Sequence, residues 1–354
     1  PVLPEPQIRE VTISAYRRSK TSGKRESDLE GLPARIFENT LSEEELASSF
    51  PHGYKELPCE VYKRLFIIPA TFIVDEHHVH VYASKKNTGE IIKAPRPKDL
   101  FRNSIATPAL VAAILNAKYS LAIPLDRQSK GFRSNGIDLS TNTMANWVIR
   151  SSDEYLSLLY DKLHSALYDC SVIHADETPV KVMRIENQKI SNGKKSYMWV
   201  YRSSPSQDEK PVILYDWQPS IRTDHPWDFL KSFSGAIGKA LAYSINQEQY
   251  LRSFLSDPEV PMDNNLAEQA IRPFTVGRKN FVLIESDRGA KASAVLYSLV
   301  ETAKANGLNP YKYFEMLLTE IPNHMDEKDL GFLSDLLPWS DRIRKECASG
   351  KKRS

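Results

Sequence analysis

The chain of 354 residues carries a formal net charge of +2, with 41% hydrophobic and 26% charged residues. Those fractions are ordinary for soluble globular proteins, so they exclude a fibrous and a wholly disordered chain, and the length suits about two or three compact units. The small net charge excludes a strongly basic nucleic-acid-binding domain, so any contact with DNA must come from local clusters of lysine and arginine.

The sequence carries no sign of a membrane or secreted protein. Its longest apolar stretch, Leu65 to Val74, is interrupted by a proline and is far shorter than the roughly 20 residues of a membrane helix. Residues 1–10 show no secretory signal, which predicts a cytoplasmic protein with no membrane partner. The cysteines, Cys59, Cys170 and Cys347, are odd in number and far apart, so we expect reduced structural thiols.

Residues 1–58 mix charged, serine, glycine and proline residues with little periodicity, which predicts an arm or linker. Short runs rich in branched and aromatic residues follow at Arg64–Ile68, Thr71–Val74 and Val79–Tyr82. They predict the strands of a small β unit over residues 59–98. Three histidines within this unit lack a nearby pair of cysteines, so metal binding is the less favoured interpretation.

Residues 99–168 show the apolar spacing of helices. One helix carries Leu110 and Ile114, and a second begins near Ser140 or Thr141, with Gly136 in the turn between them. A helix-turn-helix of this kind can place its second helix in a DNA groove. The same pattern also builds an all-α core, and that interpretation is the favoured one.

After a helix at Asp153–Tyr168, the runs Cys170–His174, Tyr197–Tyr201 and Val212–Tyr215 predict a meander of strands that opens a mixed sheet. The remaining predicted elements are helices at His225–Phe233 and Ile237–Leu255, a helix that begins at Asp263 and ends at Pro273, a strand at Asn280–Glu285, and helices at Ala290–Asn306 and Asn309–Glu320.

Two segments contain carboxylates that could do chemistry. Asp176 follows a predicted strand, where an open sheet exposes side chains to a ligand, although an aspartate that caps a turn is the plainer alternative. Asn264, Glu268 and Arg272 recur at one-turn spacing, so they form a polar face on the predicted helix. The opposite face, with Leu266, Ala267, Ala270 and Ile271, is expected to pack on the sheet; an ordinary amphipathic helix is the alternative.

A third segment joins two cations to a glycine immediately before a predicted strand. Arg278 and Lys279 follow Gly277, and backbone and side chains together could grip a phosphate there. A charged surface turn is the simpler explanation.

Several segments together identify a family. HADETPV at 174–180, DNNLAEQAIRPF at 263–274, VGRKNF at 276–281, ETAKANGLNPYKYF at 301–314 and LLPW at 336–339 resemble the transposases of the insertion-sequence 66 family. The similarity continues upstream and covers nearly everything after about residue 50, in the same order.

The resemblance implies a ribonuclease-H-like core whose Asp, Asp and Glu residues bind two Mg²⁺ or Mn²⁺ ions for DNA cleavage and strand transfer. On this interpretation Asp176 is the first carboxylate and Glu268 the last, while Arg272, Arg278 and Lys279 contact DNA. The implied partners are transposon-end and target DNA, further copies of the chain and helper proteins of the same element.

Two departures from the family pattern stand out. Gly235 runs straight into Ala236, which matches a much later part of the family, so the segment with the second aspartate is missing and we expect impaired or absent catalysis. Asp224, Asp228 and Asp263 are not convincing replacements. In addition, Ser84–Lys86 stands in place of one zinc-binding cysteine pair and only Cys59 remains near the other, so we expect no structural zinc.

The sequence therefore predicts a mixed α/β (α+β) protein. Its expected parts are the arm at 1–58, the small β unit at 59–98, a helix-turn-helix-like DNA-binding region at 99–168, a truncated ribonuclease-H-like domain at 169–320 and a C-terminal tail at 321–354. The favoured function is a bacterial insertion-sequence transposase with impaired catalysis. The alternatives are a non-catalytic DNA-binding remnant and a decayed reading frame.

Overall fold

The computed structural model describes the following residues: 36, 40, 42–49, 51–52, 55, 58, 71–83, 91–170, 172–185, 196–204, 210–221, 224–231, 264–281, 283–327 and 329–350. The chain divides into two compact units, 1–78 and 79–354. Several predictions lie outside the described residues: the strand at Arg64–Ile68, Cys59, Ser84–Lys86, the junction of Gly235 with Ala236, the helix at Ile237–Leu255 and the cap at Asp263.

In the first unit, the predicted arm contains helix α1, Glu43–Ser49. Ser42 and Glu45 form a reciprocal cap at its start, because Glu45 Oε2 accepts the Ser42 amide at 2.9 Å while Ser42 Oγ accepts the Glu45 amide at 3.3 Å. The strand predicted at Thr71–Val74 is wrong, since this stretch has no regular secondary structure and pairs with no described strand. Phe72, Ile73 and Val74 are exposed, so burial of their side chains contributes little to the stability of a strand there.

The second unit begins with a short antiparallel hairpin, in which β1, Val81–Ala83, pairs with β2, Ile91–Lys93. The strand predicted at Val79–Tyr82 is confirmed as β1, which begins two residues later than predicted. Helical segments follow: α2 Pro108–Leu115, a π-helical turn Asn116–Ser120, α3 Leu125–Ser134, α4 Thr141–Arg150, a π-helical turn Ser151–Leu156 and α5 Ser157–Leu167.

The two helices predicted for the helix-turn-helix pattern are α2 and α4, but a helix that was not predicted, α3, lies between them, so the turn with Gly136 joins α3 to α4. Gly136 adopts a φ of +80° in the turn, a conformation that costs glycine little. Ser140 begins α4 because its side chain accepts the Thr143 amide. Met144 and Trp147 are buried, so one face of α4 belongs to the core, as the favoured interpretation predicts.

The predicted meander is confirmed as a three-stranded antiparallel sheet of β3, β5 and β6, in that order. Its strands are β3 Ile173–Val180, β5 Ser196–Ser203 and β6 Ile213–Gln218. The first strand was predicted to end at His174 but continues to Val180, so Asp176 lies within the strand rather than after it. Directly after β3, the short β4, Val182–Arg184, pairs in parallel with β7, Ile284–Ser286.

The last helical segments are α6 Asp224–Lys231, α7 Asn265–Phe281, α8 Asp287–Ala305, α9 Pro310–His324, a 3₁₀ turn Gly331–Leu336 and α10 Asp341–Glu346. The predicted C-terminal end of α8 and the predicted start of α9 are confirmed, whereas α8 begins at Asp287 rather than Ala290 and α9 continues to His324 beyond Glu320. Gly307 follows α8 with a φ of +76°, and Asn309 accepts the amides of Tyr311 and Lys312 at the start of α9. Within the described residues, no helix is long and apolar enough to span a bilayer.

The prediction that Pro273 ends its helix is wrong, because α7 continues for two further turns to Phe281. A proline inside a helix removes one backbone hydrogen bond and costs about 3 kcal/mol. Here the apolar face continues beyond it, since Phe274 and Gly277 are buried. Burial of the continued helix outweighs the local cost. The strand predicted at Asn280–Glu285 consequently begins only at Ile284.

One edge of the sheet is covered by α8. Ser298 Oγ accepts the Tyr215 amide at 2.7 Å, and Thr302 Oγ1 accepts the Ile213 amide at 3.0 Å. These hydroxyl groups satisfy the outward amides of β6, which would otherwise be open to another strand. The β6 edge is therefore closed by side chains of the same chain.

The segment predicted as a C-terminal tail contributes to the core of the second unit. Leu333, Leu336 and Ile343 are buried with it. The backbone returns to the start of α9, where the Asn309 amide donates to Cys347 O at 2.7 Å. These residues are thus built into the same apolar cluster as the sheet.

Candidate functional site

The candidate site begins on one face of the three-stranded sheet. Side chains two residues apart in a strand point to the same face, so Asp176 shares its face with Thr178. In the ladder Asp176 lies opposite Val200, which lies opposite Tyr215. This side of the sheet, defined by Asp176, Thr178, Val200 and Tyr215, is called the α7 face.

Helix α7 is fastened to that face through its backbone carbonyls. Tyr215 Oη donates to Ala270 O, and Arg202 Nη1 donates to Leu266 O at 3.3 Å. The four apolar residues predicted to pack on the sheet are buried or half-buried: Leu266, Ala267, Ala270 and Ile271. That prediction is confirmed.

Two side chains of α7 and its flank tie the helix to β3. Asn264 Nδ2 donates to Ala175 O at 3.0 Å, directly before Asp176 in the strand. Fourteen residues later along the chain, Arg278 Nη1 donates to Thr178 Oγ1 at 2.9 Å and to Pro179 O. The helix therefore runs in the same sense as the strand.

Both predicted carboxylate residues lie between these two sets of hydrogen bonds, one along the strand and the other along the helix. Asp176 lies between Ala175 and Thr178 on the strand, and Glu268 lies between Asn264 and Arg278 on the helix. Glu268 follows Asn264 by four residues, which is about one helical turn, so the two share a side of the helix. The structure thus brings the two carboxylate residues to the same stretch of the boundary between β3 and α7.

The two carboxylates differ in their surroundings. Asp176 is half-buried, and its Oδ1 accepts the Glu177 amide at 2.9 Å. Glu268 is exposed, and its amide donates to Asn264 O at 3.0 Å in the first turn of the helix. One oxygen of Asp176 is therefore committed to the backbone, and the carboxylate of Glu268 faces solvent.

No third carboxylate joins them among the residues that the structure describes. In that part of the chain no three histidine, cysteine, aspartate or glutamate side chains come together as metal ligands would. Asp216 follows Tyr215 in β6, so it points to the opposite face of the sheet. Asp228 is exposed on α6, and the side chain of Asp224 lies outside the described residues, as Asp263 does.

The half-buried Asp216 is electrostatically unusual. Burial raises the pKa of Asp216 to about 6, and a hydrogen bond of 2.6 Å from Gln218 Nε2 opposes that rise. Perturbed carboxyls often mark functional sites. Its orientation away from the α7 face nevertheless separates it from Asp176.

The predicted DNA-binding cations have different environments. Arg272 and Lys279 are exposed, and at about 100° per residue they lie on the same side of α7 as Glu268. Arg278 is half-buried and its guanidinium is engaged by Thr178 and by a β3 carbonyl. Arg272 and Lys279 are therefore accessible to a DNA phosphate, while the guanidinium of Arg278 is occupied by hydrogen bonds within the protein.

The residues present fit a magnesium-type ion only in part. Carboxylate oxygens are the ligands that Mg²⁺ and Mn²⁺ prefer, and one such ion keeps several waters when it binds one or two carboxylates. Asp176 and Glu268 meet that requirement. Two ions that share a bridging carboxylate need a further acidic residue, and the described part of the chain offers none on this face.

Sequence reasoning did not assign roles to Asn264 or Thr178. The pair of asparagines before the helix was an available signal, since an asparagine can both flank a helix and donate to a neighbouring strand. Thr178 offered no such signal, because its hydroxyl bond to Arg278 joins residues 100 positions apart.

Comparison with known families gives two kinds of match. The model described as "Transposase IS66 family" matches residues 103–237 and, separately, 234–292. The model described as "IS66 C-terminal element" matches residues 298–339. The two matches to the first model meet at residues 234–237, where the sequence predicts a missing segment.

Curated relatives include uncharacterised proteins of Sinorhizobium fredii. The protein y4qI is 20% identical over 391 residues, covering 78% of this chain and 70% of the relative, and y4jD is 22% identical over 381 residues, covering 78% and 74%. Since 78% of 354 residues is about 276, roughly 115 of the 391 aligned positions have no counterpart in this chain. No solved structure matches the chain significantly.

Proposed function

The chain belongs to the IS66 family of transposases, and we propose that it binds the DNA of a bacterial insertion sequence with its cleavage and strand-transfer chemistry impaired. The observation that carries this proposal is that Asp176 and Glu268 both lie along the bonded stretch of the β3–α7 boundary, with no third carboxylate grouped with them among the described residues. The proposed core is of the ribonuclease-H type, in keeping with the three-stranded meander and the helix packed on it.

We expect impaired cleavage because, among the described residues, the site lacks the negative charge of one metal-binding carboxylate. A two-ion mechanism uses carboxylates to hold both cations against the phosphodiester, and the ions contribute several kcal/mol of charge stabilisation in the transition state. A loss of that size lowers the rate at least about a hundredfold. The break in the family match at residues 234–237 and the unmatched alignment positions support the loss of the segment that carries the second aspartate.

A nicking assay tests this proposal. Labelled duplexes from the DNA that flanks the gene are incubated with the chain and Mg²⁺ or Mn²⁺, beside its Asp176→Ala variant and a full-length family member. We expect binding but at least about a hundredfold slower cleavage than by the full-length protein. Cleavage at a rate similar to that of the full-length protein, abolished by Asp176→Ala, would contradict the impairment.

The DNA contact on α7 is assigned to its exposed cations. Each lysine or arginine that neutralises a phosphate releases about one counterion, so binding weakens as salt rises. We expect Arg272→Ala and Lys279→Ala each to weaken binding and to reduce the slope of log affinity against log salt by about 1. Lys312→Ala, at an exposed lysine of α9, is the matched control and should leave the slope unchanged.

A second candidate function is DNA binding without any catalysis, and the polar face of α4 favours it. Asn142 and Asn146 are exposed at one-turn spacing, and the helix contains no acidic residue. Asparagine pairs with adenine through two hydrogen bonds in the major groove. The preceding helix α3 adds the exposed cations Arg127 and Lys130.

Selection of bound duplexes from a random pool tests whether α4 reads DNA bases or only packs in the protein core. If α4 reads bases, the wild-type chain enriches a motif that the double variant Asn142→Ala, Asn146→Ala no longer prefers. Each lost adenine contact should cost about 1–3 kcal/mol of discrimination. Identical motifs from both proteins would show that α4 serves the core alone.

A further inference from the structure

We propose that Asn264 is a positioning residue, which sets the carboxylate of Glu268 beside that of Asp176 by joining the start of α7 to β3. The inference rests on the proposed function, because it concerns the same pair of carboxylates. It adds a residue to which neither the family match nor the sequence patterns assigned a role.

Asn264 makes one hydrogen bond to β3 and one within the first turn of α7. Its side-chain amide donates to Ala175 O at 3.0 Å, one residue before Asp176. Its backbone carbonyl accepts the Glu268 amide at 3.0 Å. A single residue therefore connects the backbone beside one carboxylate to the backbone that carries the other.

The bond on the strand side uses a carbonyl at the open edge of β3. Val172 O accepts the Ser204 amide, so alternate residues of β3 point their backbone groups towards β5 and the others, including Ala175, point away. Only a side chain of the same chain, a water or another strand can satisfy that outward carbonyl. Asn264 satisfies it here, which links the edge of the strand to the first turn of α7.

The second tie does not replace this one. Arg278 is bonded near the other end of α7, fourteen residues from Asn264, or roughly 21 Å along a helix. Two further bonds hold this part of the helix, from Arg202 to Leu266 O and from Tyr215 to Ala270 O, but they come from β5 and β6, whereas Asn264 joins the turn that carries Glu268 to β3 itself. The orientation of Glu268 therefore depends on Asn264 more than on Arg278.

The plain alternative is that Asn264 only flanks the helix, as many asparagines do. Asn264→Ser separates the two roles. Serine is an equally good residue before a helix, but its shorter side chain does not reach Ala175 O. Asn264→Gln keeps a donor amide on a chain one methylene longer and should restore part of the effect. Gln269→Ser, at an exposed residue next to Glu268, is the matched control.

The test is the affinity of the full chain for Mn²⁺, measured from the electron paramagnetic resonance signal of the free ion. Residues that orient metal ligands typically change metal affinity about 10- to 100-fold. We expect Asn264→Ser to weaken Mn²⁺ binding at least about tenfold, Asn264→Gln to weaken it less, and Gln269→Ser to leave it unchanged. Thermal unfolding in EDTA verifies that each variant is folded at the temperature of the titration.

The variant Arg278→Leu removes a different hydrogen bond between α7 and β3, so it shows whether any loosening of this contact lowers Mn²⁺ affinity. If any weakening of the contact between α7 and β3 lowered the affinity, this variant would lose Mn²⁺ binding as Asn264→Ser does, and the inference would be overturned. We expect no decrease in Mn²⁺ affinity, since the variant also removes the positive charge that is bonded to Thr178, two positions from Asp176.

The outcomes separate this inference from the proposed function. Mn²⁺ binding that Asp176→Ala abolishes and Asn264→Ser leaves intact overturns the inference alone. Mn²⁺ binding that Asp176→Ala leaves intact shows that the carboxylate pair holds no ion, and it overturns both the inference and the proposed metal site.

Discussion

Asp216 illustrates how a single residue can make stability depend on pH. Burial raises its pKa to about 6, against about 3.9 for an aspartate in an unfolded chain, so the folded state holds the proton more tightly. The contribution of this residue is most favourable below about pH 4 and is lost as pH rises through about 6. The loss is at most about 3 kcal/mol, and less to the extent that water reaches the half-buried side chain.

Asp216→Asn should therefore stabilise the chain at pH 8 by about 1–3 kcal/mol and change little at pH 4, because asparagine still accepts the bond from Gln218 and carries no charge. Urea unfolding at the two pH values measures the difference. Asp228→Asn, at an exposed aspartate of α6, is the control and should show no such dependence. Equal effects of Asp216→Asn at both pH values would contradict the assignment.

At the scale of elements, α7 depends on close contact with α8. Gly277 lies in α7 where an added Cβ would overlap the hydroxyl group of Tyr297, which is itself buried in α8. The contact allows the helices to pack closely enough for Phe274 of α7 to meet Tyr297 of α8 edge to face, with ring centroids 5.4 Å apart. The same close packing keeps α7 helical beyond its proline.

Gly277→Ala should lower the free energy of unfolding by about 1–3 kcal/mol, because the buried tyrosine has to move or the helices have to separate. Gly131→Ala is the matched control: it also lies within a helix, α3, but an added Cβ meets nothing within 4 Å. We expect that control to stabilise by about 0.5–1 kcal/mol through helix propensity alone. Destabilisation of similar size by both substitutions would indicate that the contact with Tyr297 is unimportant.

At the scale of the whole second unit, the C-terminal residues complete the core. Tyr313 of α9 is buried and its hydroxyl donates to Leu336 O at 2.9 Å, while Ile343 is buried in α10. Removal of residues 331–354 would expose the apolar side of α9 to water, at roughly 25 cal/mol for each Å². The contribution of these residues therefore comes from burial rather than from any local helix propensity.

A chain that ends at residue 330 should accordingly lose its cooperative thermal transition and bind a hydrophobic dye. Circular dichroism and dye fluorescence measure the two effects. A chain that lacks only Lys351–Ser354 is the control and should melt as the full chain does. A sharp transition in the shorter chain, near the original temperature, would show that the core is complete without α10.

The sequence by itself determined the features that depend on local pattern and on family resemblance. Apolar periodicity and caps located α4, α8 and α9, and branched residues between turn signals located the meander. The motif around Asp176 and the one around Glu268 identified the family, which the matches over 103–292 and 298–339 confirm. These signals are read from neighbouring residues, so they need no tertiary information.

Only the tertiary structure decided where α7 ends and how its side chains are used. A local rule stops a helix at Pro273, but the burial of Phe274 and Gly277 against distant residues outweighs that rule. The engagement of Arg278 by Thr178, and of Asn264 by β3, joins residues about 90 to 100 positions apart. Such contacts arise from the packing of a helix on a sheet, and no spacing within either segment encodes them.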